Sequence, residues 1–403
     1  MRIWYFNHYA SPPDQPTTGA FYLMQALARR GHEVTIFASG FNYYQGRDLR
    51  LGDRWFTARQ ETDGLTFRWI RATPTQGRPL SRFFNMLSYA VFSLLAGLDA
   101  KPEPDIIIAS CPHALTGFSA WLLSRFRGAK FVYEIRDIWP ESLTEGKIIS
   151  ERSLFARVIA ALQRFLYRRA ALMLSVLPKF DDYLSDIGIK PRAFLWLPNG
   201  VEIIPESLPP PLHIEAPTPF CLMFIGGFSR YQGLGVLLEA ARILEDRKQN
   251  IRIALVGGGS EKPHVIENVR RMGLKHIEFR EAVPRAEVMA VAAEADAFIL
   301  HARPLLVHRY GLSPNKLCDY MLAARPVIYS APPEHNPVAE TGCGILIPPQ
   351  NPQALADAVI KLAAMPRQQL REMGLRGRDY ALAHFDAAKL AGRLETALLT
   401  RSS

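Results

Sequence analysis

The stretch VEIIPESLPPPLHIEAPTPF, residues 201–220, holds six prolines. Proline fixes φ and has no N–H to give a sheet, so no central strand runs through this stretch. Residues 201–219 therefore read as a linker. The chain has 403 residues, which suits two domains of about 200 each. Hydrophobic residues make up 48% and charged residues 21%, enough apolar material for sizeable cores.

The two sides of the linker repeat one pattern. Before it, a strand at Ile3 to Phe6 leads through the loop NHYASPPDQPTTG to the amphipathic helix AFYLMQALARRG, closed by Gly31. EVTIFAS, DIIIAS and KFVYEI follow as short buried strands. After it, the strand FCLMFIGG precedes the helix GLGVLLEAARILEDRK, and IRIALVGGG precedes another helix. HIEFREAV, DAFILHA, RPVIYSA and GILIPP continue the series as strands. Strands alternating with helices predict a parallel α/β sheet on each side of the linker. The expected organisation is a domain over 1–200, the linker, a second domain over 220–375, and helices over 376–403 that pack back on the first. Ligands of parallel sheets sit at the carboxyl ends of the strands, so two such domains predict a cleft lined by their loops.

Charge is unevenly placed. Residues 1–180 carry 23 Lys or Arg against 14 Asp or Glu, a net of +9. Residues 181–403 carry 25 against 24, a net of +1. A basic first half suits an anionic partner surface. Cysteines at 111, 221, 318 and 343 are too scattered for a CxxC pair and fit reduced, buried thiols of a cytosolic protein. MRIWYFNHYA lacks the apolar run of a signal peptide. The uncharged, largely apolar stretch FFNMLSYAVFSLLAGL at 83–98 has 16 residues, short of the roughly 20 a span needs. It reads either as a buried helix or as one lying in a membrane interface, with Arg78, Arg82 and Lys101 at its flanks.

Gly226 and Gly227, and again Gly257, Gly258 and Gly259, follow a strand and precede a helix. Glycine there lets a ligand approach the backbone, and helix N-termini favour phosphate. Tight turns that serve topology look the same. Neither loop fits G-x-G-x-x-G at a first βα turn or G-x-x-x-x-G-K-[ST], which disfavours nicotinamide enzymes and nucleotide triphosphatases. The chain has no D-x-D triplet and no His/Cys cluster at zinc spacing, so no metal or cofactor is expected. In YGLSPNKLCDYM, residues 310–321, Ser313 is placed as N-cap and Pro314 as first helical residue, with Asn315 and Lys316 after it. Lys316 opposes the helix dipole unless an anion binds there. Asp319, three residues on, shares its face and could hold a diol; the pair could equally be a surface ion pair.

Four segments together resemble the retaining glycosyltransferases of family four, which have the GT-B fold: YEIRDIWPES (133–142), LPNGVE (197–202), IGGFSRYQGLGVLLEAA (225–241) and SPNKLCDYMLAARPVIYS (313–330). Among them the chain is most similar to the WbuB-like branch, which adds amino-deoxy sugars in O-antigen and capsule synthesis. The resemblance implies two Rossmann-like domains. It implies a nucleotide-sugar donor, usually a UDP sugar, held by the second domain, and a lipid-diphosphate-linked acceptor. It implies a cytoplasmic protein peripheral on the inner face of the plasma membrane, without nucleic-acid partners. Asp319 matches the second acid of the family's E-x7-E motif and would bind ribose. Ser313, Pro314, Asn315, Lys316 and Leu317 would face sugar and diphosphate with Gly226, Gly227, Gly257, Gly258, Arg230 and Gln232, and Glu281 to Val283 would flank the base. Arg230, Lys316 and Asp137 are the expected catalytic residues; Gly19, His113, Glu134 and Arg136 belong to the acceptor side. Three positions depart from the family: Gly311 stands where the first acid belongs, Gly227 and Gln232 where the donor-loop Arg and Lys belong, and Arg136 in place of the His before Asp137. A nucleotide-sugar 2-epimerase, or a non-catalytic nucleotide-sugar-binding partner protein, is the rival expectation.

Overall fold

The computed structural model describes residues 1–12, 19–42, 46–75, 79–111, 113–215, 219–229, 232–302, 304–330 and 335–400. The chain divides into two compact units, Met1–Glu202 with Ala387–Ser403, and Ile203–Asp386.

The first unit is built on β1 (Arg2–Phe6), α1 (Gly19–Arg29), β2 (Glu33–Ser39), β3 (Thr57–Thr62) and β4 (Leu65–Ile70). There follow α2 (Pro79–Asp99), β5 (Ile106–Cys111), α3 (Ala114–Arg127), β6 (Lys130–Ile135), α4 (Leu154–Arg169), β7 (Leu172–Ser175) and β8 (Phe194–Trp196). Eight strands form one sheet in the order β8-β7-β6-β5-β1-β2-β4-β3. All neighbours are parallel except the hairpin β3–β4 at the edge. The central strands β1, β5 and β6 are buried almost throughout, as their unbroken apolar runs predict.

Helix α2 contains residues 83–98, the stretch read as buried or interfacial. Met86, Tyr89, Ala90, Ser93 and Ala96 are buried, and Tyr89 Oη donates to the Phe37 carbonyl at 2.7 Å. Leu80, Phe84, Val91, Leu95 and Leu98 lie exposed. Their spacing of four, seven, four and three residues puts them on one stripe. The helix is thus apolar on two faces and buries only one. No described helix is long and apolar enough to cross a membrane.

The second unit has β9 (Phe220–Ile225), α5 (Gly235–Asp246), β10 (Ile251–Val256), α6 (Lys262–Met272), β11 (Ile277–Arg280) and β12 (Ala297–His301). It continues with α7 (Asn315–Leu322), β13 (Val327–Ser330), α8 (Pro337–Thr341), β14 (Gly344–Ile347), α9 (Pro352–Ala363) and α10 (Arg367–His384). Its six strands are all parallel, in the order β11-β10-β9-β12-β13-β14. The order reverses between β9 and β12. Right-handed crossovers then place α5 and α6 on one face and α7 and α8 on the other. The reversal opens a crevice beyond the carboxyl ends of β9 and β12, where such sheets bind ligands.

After α10 the chain returns to the first unit as α11 (Ala387–Leu399). Leu390, Ala391, Leu394 and Leu398 enter the same core as Phe21, Leu27 and Ile36. The Ala387 N–H donates to the Val201 carbonyl at 3.0 Å, and Arg30 and His32 both bond Glu395.

Candidate active site

The glycine loops of the second unit are fitted to each other. A Cβ on Gly257 would stand 2.1 Å from the Gly226 carbonyl oxygen, and one on Gly259 would stand 2.4 Å from that of Phe228. Both glycines have φ near +140°. Phe228 N–H donates to Gly258 O at 2.8 Å and Gly226 N–H to Val256 O at 2.9 Å. Gly257 and Gly259 thus serve backbone approach between the two loops. Gly227 and Gly258 face open space.

Helix α7 is pinned to the end of β9. Tyr320 Oη accepts from Ile225 N–H at 2.9 Å and donates to the Ile225 carbonyl at 3.0 Å, and its ring stacks on Phe298 at 4.1 Å. One turn earlier Lys316 runs beside Gly226. Its ammonium fills the space a side chain at 226 would need, 2.8 Å from the ideal Cβ position. Lys316 Nζ donates to Gln232 Oε1 at 2.7 Å and lies 4.2 Å from the centre of the Phe224 ring. It has no carboxylate partner among the described residues. Loss of water around the ammonium pushes its pKa down to about 7.

The helix begins one residue later than its sequence predicts. Pro314 is the N-cap, with φ −72° and ψ 124°, Asn315 is the first helical residue, and no side chain caps the turn. Ser313 precedes the cap. Proline at the cap, extended rather than helical, shifts the start. Leu317 is buried, and its N–H is spent on the Pro314 carbonyl at 3.0 Å. The N–H groups of Asn315 and Lys316 have no acceptor among the described residues.

Asp319 does not pair with Lys316. Arg285, in the turn after β11, grips it with two bonds, 2.6 Å to Oδ2 and 2.7 Å to Oδ1. Each carboxylate oxygen keeps further lone-pair capacity. The clamp therefore fixes the plane of the carboxylate without exhausting it. Gly311 has φ +96° and ψ 169°, a conformation in which a side chain is strained, so the missing family acid is matched by a backbone that disfavours one. Glu281 is exposed and pairs with Lys262 Nζ at 2.8 Å, which also bonds the Arg280 carbonyl; Val283 is partly buried. Arg230 lies outside the described residues.

In the first unit Glu134 is buried at the end of β6. It accepts from Tyr5 Oη at 2.7 Å and from Arg136 Nη1 at 3.0 Å, and Arg136 reaches on to Asn199 Oδ1. Asp137 is exposed beside them, accepts from Trp139 Nε1 at 3.0 Å, and has its pKa raised by surrounding protein. His113 caps α3 and bonds His8 Nδ1 at 2.9 Å; burial holds the pKa of both rings well below the ordinary histidine value, so the pair is neutral. Gly19, first in α1, packs on the Gly200 backbone, where a Cβ would meet its oxygen at 2.7 Å. Tyr5, His8, Asn199, Arg285, His301 and Tyr320 escaped the sequence reading. Only His301, the one polar residue within DAFILHA after its first position, left a visible signal.

Residues 16–200 match the family model described as glycosyl transferase 4-like domain, and residues 219–365 that described as glycosyl transferases group 1. WcaI of Escherichia coli K12, whose name places it in colanic acid biosynthesis as a glycosyl transferase, is 22% identical over 86% of this chain and 88% of its own. Sucrose-phosphate synthase from Thermosynechococcus elongatus superposes with a TM-score of 0.75 at 18% identity, covering all of both chains. HepE of Anabaena, solved with UDP and glucose, gives 0.67 at 16%, covering 99% of each. Two doubly wound units, the matched domain pair and these neighbours define a GT-B glycosyltransferase. The chain belongs to the family whose first domain is the glycosyl transferase 4-like domain and whose second is the group 1 domain.

Proposed function

We propose that this enzyme moves an amino-deoxyhexose from a UDP sugar to a lipid-diphosphate-linked saccharide, with retention of anomeric configuration and without a required metal. The observation that carries the reading is Lys316, a cation without a carboxylate partner among the described residues, held at the N-terminal turn of α7 beside two open N–H groups. That arrangement suits a diphosphate, whose charge grows as the sugar departs. Lys316, with Arg230, stabilises the leaving oxygens. The acceptor hydroxyl attacks from the same face and passes its proton to a departing phosphate oxygen. Asp319, oriented by Arg285, accepts from the ribose hydroxyls. The HepE complex supports the class of donor. In the first unit, Glu134, Arg136 and Asp137 serve the acceptor.

The test is UDP binding by Lys316→Ala and Asp319→Ala, with acceptor-dependent UDP release in the parent. Unchanged affinity in both variants removes this donor site. Isomerised donor without acceptor means an epimerase, and binding without turnover a non-catalytic partner.

The exposed stripe of α2 supports a membrane-bound acceptor. Phe118 and Phe126 of α3, which packs on α2, and Leu154 and Val158 of α4, which packs on α3, add exposed apolar groups. Arg125, Arg157, Arg164, Arg168 and Arg169 lie exposed on the same two helices. Apolar groups ringed by cations suit the headgroup region of an anionic bilayer.

A further inference from the structure

We propose that His301 and Ser330 form a subsite for a hydroxyl or amide N–H of the sugar that the donor carries. The inference rests on the donor reading above and names the part of the ligand that these two residues recognise.

His301 ends β12 and Ser330 ends β13; they are register partners, so both side chains leave the same face of the sheet. The pair stands at the crevice where the strand order reverses. Their exposures are 5% and 1%. Buried polar side-chain atoms are nearly always paired. Among the described residues, His301 Nε2 and Ser330 Oγ have no partner.

The chemistry of His301 follows from its other nitrogen. Nδ1 lies 2.8 Å from the Gln232 carbonyl oxygen. A carbonyl only accepts, so Nδ1 carries the hydrogen. Burial lowers the pKa of the ring and keeps it neutral. Nε2 is then a bare lone pair and can only accept. An ionised phosphate oxygen or a carboxylate has no hydrogen to offer it. A sugar hydroxyl or an acetamido N–H does, and Ser330 Oγ can donate to or accept from the same group. Gln232 links the subsite to the cation: His301 holds its backbone, and Lys316 holds its side chain. The sugar-reading and diphosphate-reading groups therefore meet at one residue.

The experiment combines histidine ¹⁵N NMR with calorimetry, using UDP and a panel of UDP-, GDP- and ADP-hexoses. With the wild-type enzyme, the Nε2 resonance shifts toward the hydrogen-bonded range on saturation with the preferred nucleotide sugar and stays put with the bare nucleotide. In H301N the amide still donates to the Gln232 carbonyl but leaves no acceptor at Nε2. Its affinity for the bare nucleotide stays within about twofold, and its preference for the nucleotide sugar falls about tenfold. S330A loses about fivefold of that preference. An Nε2 signal that moves with both ligands or with neither overturns the subsite, as does an unchanged preference in H301N and S330A. If H301N does not fold, the wild-type spectrum decides alone. A wild-type protein that binds none of the nucleotides sinks the donor reading, and the subsite with it.

Discussion

If Lys316 meets the diphosphate as proposed, nucleotide binding is tied to proton uptake. Free, its pKa lies at about 7, so about half the molecules carry the charge at pH 7. A bound diphosphate favours the ammonium and lifts that pKa by units. The complex therefore holds more protons than the free protein, and affinity is lost as pH rises through 7 toward the bound value. UDP binding should take up about 0.1 proton at pH 6, about 0.5 at pH 7 and about 0.9 at pH 8. The terminal phosphate titrates near pH 6, so pH 8 isolates the lysine. Calorimetry in buffers of different ionisation enthalpy measures the uptake. In Lys316→Met the uptake at pH 8 should vanish, and affinity at pH 6 should fall about 10- to 150-fold, the worth of a charge-assisted bond. Folding carries the opposite sign. A lysine whose folded pKa is depressed destabilises the fold fully below pH 7, and the penalty fades toward its unfolded value of about 10.4. Lys316→Met should accordingly melt higher than wild type at pH 6, and by less as pH rises. Equal proton uptake in wild type and variant at pH 8 refutes the assignment of Lys316 to the diphosphate.

Three further outcomes follow from geometry. Gly257→Ala should destabilise the protein by more than about 2 kcal/mol in denaturant titrations, since its methyl meets a carbonyl oxygen at 2.1 Å, while Gly227→Ala should stay within about 0.5 kcal/mol. Gly311→Glu restores the family's acid on a backbone at φ +96° and should cost about 1–3 kcal/mol, seen as a lowered Tm. Val91→Glu with Leu95→Glu should weaken sedimentation with anionic vesicles at low salt and leave Tm and UDP affinity as they were; undiminished vesicle binding speaks against α2 as the lipid-facing helix.

The sheets were legible where burial makes strands continuously apolar, as in IIIASC and FCLMFI. The edge hairpin was not: Thr57–Thr62 reads TARQET and carries no apolar run, because its pairing comes from Leu65–Ile70. The glycine loops were visible as loops, but which glycines serve packing depends on Gly226 meeting Gly257 across some thirty residues. Lys316 and Asp319 looked like neighbours on one helix face. Their partners, Gln232 and Arg285, stand 84 and 34 residues away, and helical spacing says nothing of them. The resemblance to a family named candidate residues; it did not reveal the clamp on Asp319 or the neutral histidine pair.

The return of the chain as α11 makes the second unit an insertion within the first. Helix α11 covers Phe21 and Leu27, residues synthesised near the start, yet it is made after all of the second unit. During biosynthesis the early domain must therefore wait with part of its core bare, while the later one can fold at once. A nick just before residue 387, or loss of the residues after it, would leave the second unit whole and unseal the core of the first.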